Sequence, residues 1–188
     1  MRWTIARRIT LGYAAVLLLL AVVGVVATYA LSSIGAGFQE VIRREQFLDD
    51  AMEARGDADR AVVSFLRYLV TGEDEFLQER EQRVLEARAG ITRLEQLSPD
   101  VEDKKAWGEI RELLDGWDAA AKAAIAARRG RRDAEVRRIT MERVLPVRDR
   151  MQPMIRELIL RERARTRDVA AAAVKLADRT QWAVLGIG

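Results

Sequence analysis

The sequence predicts an all-α protein: an up-down-up-down four-helix bundle, with an N-terminal transmembrane helix continuous with helix one and a truncated second transmembrane helix continuous with helix four. Three observations predict it. Ala, Leu, Arg and Glu dominate the 188 residues, while Gly and Pro are scarce between positions 38 and 185, which is a helical profile. Apolar residues recur at three- and four-residue spacing through four successive stretches. Near the N-terminus an uncharged apolar run is long enough to span a bilayer.

The run comes first. After Arg2, Arg7 and Arg8 the next charge is Glu40, and Ile9–Leu31 supplies 23 residues without a charge. A spanning helix needs about 20 apolar residues, so this one fits with some tilt. Arginines before the run, with no acid among them, predict a cytoplasmic N-terminus, with Arg7, Arg8 and Trp3 as interfacial anchors. A cleaved signal peptide is the competing reading, with Thr28-Tyr29-Ala30 as its site, although such segments carry apolar runs of only about 7–15 residues.

Helix one is expected to continue through Gly35-Ala36-Gly37 to about Val70. At 100° per residue, Phe47, Ala51, Ala54, Ala58, Ala61, Val62, Phe65 and Leu69 share one face. Leu48, Met52, Val63 and Leu66 widen it, which suits a helix with two or more neighbours. Thr71-Gly72 ends the helix, glycine being the residue that accepts the left-handed C′ position.

Glu73-Asp74-Glu75 opens helix two with acids at the positive end of the helix dipole, and Phe76, Leu77, Val84, Ala87, Ile91 and Leu94 are its apolar positions. Ser98-Pro99-Asp100 starts helix three, with Ser98 expected as N-cap, Pro99 at the first helical position and Asp100 in the first turn. Its seam is Trp107, Ile110, Leu114, Trp117, Ala121 and Ala124, spaced alternately by three and four. The two tryptophans are expected in the core rather than in an aromatic ligand box.

Arg128-Arg129-Gly130-Arg131-Arg132 breaks that helix, and Asp133 is expected to cap helix four. Helix four carries Val136, Val144, Val147, Met151, Ile155, Leu158, Val169, Ala173 and Leu176, with Pro146 and Pro153 predicting a kink or a late start. Past Arg179 the chain is uncharged, and Trp182 opens an apolar stretch too short to span. It is read as the start of a second, cut transmembrane helix; a frayed apolar tail is the plainer alternative. The short loops make neighbouring helices antiparallel. The expected organisation is a cytoplasmic N-terminus (1–8), transmembrane helix (9–31), extracytoplasmic bundle (32–180) and truncated second transmembrane helix (181–188).

Composition excludes much chemistry. The sequence holds no His and no Cys, so zinc sites, disulfides, thiol nucleophiles, Ser-His-Asp triads and phospho-accepting histidines are all impossible. No catalytic residue, cofactor or metal site is expected, and the chain is read as non-enzymatic. Net charge is +3, but residues 40–118 hold 21 acids against 12 bases and residues 119–179 hold 8 acids against 17 bases. The two halves should attract each other and help fix helix pairing. A nucleic-acid surface is the rival reading, disfavoured by interleaved acids and the lack of an aromatic stacking platform.

Two local features stand out. Arg55 projects into the apolar arc of helix one with Asp59 one turn on, so it needs a partner or water. The pair reads as an intrahelical bridge at a subunit interface, or as an anion-ligand contact in a groove between two copies of helix one. At the first turn, Arg67-Tyr68-Leu69-Val70-Thr71-Gly72-Glu73-Asp74-Glu75-Phe76-Leu77 resembles the signature of CHASE extracellular sensory domains of the third type. Tyr68, Thr71 and Gly72 carry the likeness; Leu66 stands where that family usually has an arginine. The wider layout is similar to the four-helix-bundle ligand domains of bacterial chemoreceptors.

The resemblance implies the input module of a sensor histidine kinase, chemoreceptor or cyclase in the bacterial inner membrane. The N-terminus would be cytoplasmic and the bundle periplasmic or extracellular. A homodimer and an unidentified small-molecule or protein ligand are implied with it. An anchored or secreted helical scaffold without signalling is the alternative.

Overall fold

In the computed structural model the described residues run from 5 to 185. Outside the description lie the side chains at 5–11, 15, 26–27, 29–34, 36–38 and 176–185. The chain divides into two compact units, residues 1–43 with 166–188, and Arg44–Arg165. Helix α1 (Ile5–Thr71) and helix α5 (Leu145–Leu185) each contribute to both.

In the first unit, Tyr13, Val16, Leu17, Leu18, Leu19, Leu20, Val22, Val23 and Val25 are all exposed. Among the described residues no helix is long and apolar enough to cross a membrane. The expected span, 9–31, includes positions whose side chains lie outside the description.

The second unit is the bundle, formed by the C-terminal part of α1, helix α2 (Asp74–Leu97), helix α3 (Val101–Arg129) and a fourth rod. That rod comprises α4 (Asp133–Ile139), a π-helical segment (Thr140–Val144) and the first part of α5. Ion pairs give the topology. Asp50 and Asp57 on α1 meet Arg93 and Arg83 on α2, the partner number falling as the other rises. Asp115 and Glu95 meet Arg88 and Arg111 in the same antiparallel sense across α2 and α3, as do Asp103 and Glu109 with Arg165 and Arg150 across α3 and α5. Arg44 bonds Glu162 at 2.7 Å, and Asp59 accepts from Gln152 at 2.6 Å, closing α5 onto α1. The bundle therefore runs up-down-up-down.

The parallel diagonal, α1 with α3, is aromatic. Phe47 meets Trp107 edge-on at 6.5 Å and Phe65 meets Trp117 at 5.9 Å. Every residue of the α3 seam from Trp107 to Ala124 is buried, so both tryptophans are core. On α1, Ala51, Ala54, Ala58, Ala61, Val62 and Phe65 are buried as the periodicity requires. The widening of that face does not reach the core: Leu48 is buried, but Met52, Val63 and Leu66 are exposed. Of these, Met52 is met by the Arg163 guanidinium of α5, 3.1 Å from its sulfur.

Ends of helices follow local chemistry, with two corrections. Gly72 holds φ +78° and its N–H donates to the Tyr68 carbonyl at 2.8 Å, the expected left-handed stop. Ser98 does not cap helix three; it closes α2, its N–H donating to the Leu94 carbonyl. Asp100 is the N-cap, its carboxylate accepting from the N–H groups of Glu102 and Asp103. A carboxylate two residues further on reaches those free amides, whereas the Ser98 position still belongs to the previous helix end. Nor does Asp133 cap helix four, because Arg132 takes that place without a side-chain bond and Arg131 adopts φ +55° to make the turn.

The prolines do not bring the late start the sequence allowed, since the fourth rod begins at Asp133. Instead the rod changes pitch: the Leu145 N–H donates to the Thr140 carbonyl, a five-residue reach that defines the π turn. Pro146 has no N–H to give and follows directly, so the wider turn takes up the missing bond. Pro153 sits inside α5, which continues through it.

Candidate functional site

Arg55 lies on the bundle surface, not in the core. Its Nε is 3.8 Å from the Asp59 carboxylate, and both side chains are about 40 % exposed, at 39 % and 40 %. Asp59 in turn accepts from Gln152 of α5. The intrahelical pair of the sequence reading is thus present as a loose, solvated contact with one link to the returning helix.

At the first turn, Tyr68 is buried, and Thr71 Oγ1 donates to the Arg67 carbonyl while accepting from the Glu73 N–H at 3.2 Å. Arg67 stacks over the Phe76 ring at 5.7 Å, which clasps the start of α2. The Arg129 guanidinium is held above its ordinary value, first by the Tyr68 hydroxyl and then by Asp74. Tyr68, Thr71 and Gly72 therefore build the α1–α2 connection and tie it to the end of α3. Of the expected membrane anchors, Trp3 and the side chains of Arg7, Arg8 and Trp182 lie outside the described residues.

Sequence reasoning missed the polar groups in the core. Arg80 is only 1 % exposed. It bonds Asp118 on α3 and lies over the Trp117 ring at 5.4 Å. Asp118 also accepts from Lys122 at 2.9 Å and faces Arg88 at 3.8 Å. Burial pushes the Asp118 carboxyl up, but the Lys122 and Arg80 bonds and charges outweigh it and hold it below the ordinary value. A cavity of about 290 Å³ opens over this cluster, lined also by Glu81, Val84 and Leu85.

A second cluster joins α3 to α5. Asp103, buried, bonds Arg165 and keeps its guanidinium protonated more firmly than usual, with Glu162 and Asp100 adding to the field. Arg165 lies 3.4 Å from Asp100, so the α3 N-cap residue is also an ion-pair partner. The expected attraction between halves is partly realised: Asp74, Asp103 and Glu109 meet Arg129, Arg165 and Arg150, while Arg44–Glu162 pairs the other way. None of these groups forms a nucleophile with its base, and among the described residues no cluster of acids is arranged to hold a metal ion.

Residues 2–177 match the family described as a four helix bundle sensory module for signal transduction, and the chain belongs to that family. The match covers the four-helix-bundle sensory part of the resemblance and does not extend to the CHASE type. Among solved structures, a chain of the XylFII–LytSN complex is similar, with a TM-score of 0.59 at 15 % identity, over 63 % of this chain and 97 % of that one. At that identity the likeness concerns the fold. No curated protein matches the chain.

Proposed function

We propose that the chain is the extracytoplasmic input module of a bacterial transmembrane receptor, a sensor histidine kinase or chemoreceptor, and that it passes a helix displacement through the membrane. The observation that carries this reading is the length of the outer helices. In a family of sensory bundles, α1 and α5, of 67 and 41 residues, both continue well past the bundle unit, whereas α2 and α3 end with it. Exposed apolar side chains from Tyr13 to Val25 support a lipid-facing segment at 9–31, with the N-terminus in the cytoplasm. The turn motif at Tyr68–Gly72 keeps its likeness to CHASE domains, and no catalysis is assigned to these residues.

The functional unit is a homodimer. Met52, Val63, Leu66 and Val70 are exposed on α1 at heptad spacing, 41 %, 47 %, 37 % and 80 %, which supports a seam between two copies of that helix. Asp59, seven residues from both Met52 and Leu66, falls on the seam itself, with Arg55 one turn before it. In such a dimer, a ligand that favours one packing of the bundle would shift α5 against α1 by about an ångström or two.

Alkaline phosphatase, which is active only outside the cytoplasm, tests the topology when inserted at the α3–α4 turn. Active fusions retained in the membrane after carbonate washing are expected. Inactive fusions, or release into the wash, would refute the placement. A hybrid joining this chain to a kinase output tests the signalling.

A further inference from the structure

Asp103 of α3 is bracketed by two arginines of α5. Its Oδ2 accepts from Arg165. Its other oxygen, Oδ1, is sealed from solvent and accepts no hydrogen bond among the described residues. Arg161, one turn earlier on α5, holds its Nη1 3.8 Å from that open oxygen. A hydrogen bond between such groups forms at about 2.9 Å, so the gap is about one ångström too wide. Arg161 is turned back instead to Glu157 on its own helix, both side chains being exposed. An open oxygen on a buried carboxylate is a cost that a second guanidinium would remove.

Helix direction decides what closes the gap. Arg161 lies about 6 Å before Arg165 along α5, at 1.5 Å per residue. Travel of α5 in its own C-terminal direction therefore carries Arg161 toward Asp103. Because α3 runs the opposite way, the same travel carries Arg165 toward Asp100, which already lies 3.4 Å from it. The α1 side limits the step. Arg44 bonds Glu162 at 2.7 Å, and the residue one turn before Glu162 is the buried Leu158. A full-turn step would set Leu158 against Arg44 and take this carboxylate away from a largely buried guanidinium, so only a fraction of a turn is open.

We propose that Asp100, Asp103, Arg161 and Arg165 form a two-position catch for α5. In the first position Arg165 holds Asp103. In the second, about one ångström further along, Arg161 takes the open Oδ1 and Arg165 moves onto Asp100. Partners are exchanged rather than lost, so the helix settles in one position or the other. Arg165 is also the last residue of the bundle unit, so the catch sits where α5 leaves that unit. The proposal rests on reading the bundle as an input module, and it names the residues that set the two registers of the outgoing helix: Arg165 the first, Arg161 the second.

The test is a distance. The sequence holds no Cys, so spin labels at Lys105→Cys on α3 and Asp149→Cys on α5, both exposed, report one pair by double electron–electron resonance in the full chain diluted with unlabelled chain. Advance of α5 brings the two labels together. Arg165→Gln is expected to shorten the distance by about one ångström, as Asp103 draws in Arg161. Arg161→Gln alone, and the double variant Arg161→Gln/Arg165→Gln, are expected to keep the native distance. Glu157→Gln, a surface change that frees Arg161 without touching the core, is expected to shorten it by less. No shortening in either Arg165→Gln or Glu157→Gln, or equal shortening in the double variant, would overturn the proposal. In the kinase hybrid, Arg165→Gln is expected to change basal output and the added Arg161→Gln to cancel the change. The expected distances with a silent hybrid would leave the catch standing and remove the signalling reading; altered output at unchanged distance would remove the catch.

Discussion

Arg80 and Asp118 form a buried ion pair between α2 and α3, Arg80 1 % and Asp118 10 % exposed at their side chains. The Arg80 Nη2 also donates to the Asp118 carbonyl at 3.3 Å, so one guanidinium is tied to both the side chain and the backbone of one residue.

Removing either partner strands the other. Asp118→Ala should destabilise the bundle by about 3–5 kcal/mol in urea unfolding followed by circular dichroism, because the guanidinium stays buried against Trp117 without its carboxylate. The double variant Arg80→Met/Asp118→Leu should recover most of that loss. A single variant within 1 kcal/mol of the native chain, by the usual scatter of surface changes, would show that the pair is solvated.

The same carboxylate sets an acid limit. Its folded value lies below the ordinary one, so its contribution is present above the unfolded value of about 3.9 and is lost as pH falls through the folded value. Lys122→Met removes a bond that holds Asp118 down. The stability gap between native and variant should therefore be largest near neutral pH and close in strong acid. A gap independent of pH would contradict the assignment.

Two glycines separate packing from propensity. A Cβ at Gly90 would lie 2.9 Å from the Ala54 Cβ, whereas one at Gly116 would meet nothing within 4 Å. Gly116→Ala should stabilise by about 0.5–1 kcal/mol through helix propensity. Gly90→Ala should destabilise by about 1–3 kcal/mol despite the same gain, because α1 and α2 must separate. Thermal melts of the two variants, run side by side, check the sign of each.

Pro153 leaves α5 without one bond of its ladder. Pro153→Ala should raise stability by about 1–3 kcal/mol, the helix gain less the extra freedom of the unfolded chain. A fall would mean that the ring itself packs in a way Ala cannot replace.

Arg55→Ala should change stability by less than about 0.5 kcal/mol, since an exposed pair at 3.8 Å is worth little. Cross-linking through a cysteine at Val63, as Val63→Cys, checks the proposed seam separately. Efficient disulfide formation between copies is expected, and its absence would count against the dimer.

The periodicity of the sequence located the helices and most of the core, because an apolar stripe at 3.6 spacing has only one place to go. What it hid was polar residues occupying the same stripe. On α2 the apolar positions Leu77, Val84, Ala87, Ile91 and Leu94 step by three and four once the gap is filled, and the missing step is Arg80. On α3, Asp103 extends the Trp107 seam by one step of four. A reading that counts only apolar residues passes over both. The gap itself was the available signal; the partners, Asp118 and Arg165, come from other helices and have no local trace. The π turn was hidden for a different reason: proline announces a missing bond but not how the helix accommodates it.

The close approach of Gly90 to Ala54 has a mechanical meaning. At this point the α1–α2 contact is a methyl group, that of the buried Ala54, against the bare backbone of Gly90. Such a surface is shallowly corrugated, and lengthwise travel lifts no large side chain out of a hole. On the opposite side, Phe47 and Phe65 interlock with Trp107 and Trp117. Around α1 the surfaces therefore differ in grain: a smooth patch at Ala54 and Gly90, bounded by the Asp50–Arg93 and Asp57–Arg83 pairs, on the α2 side, and crossed rings on the α3 side.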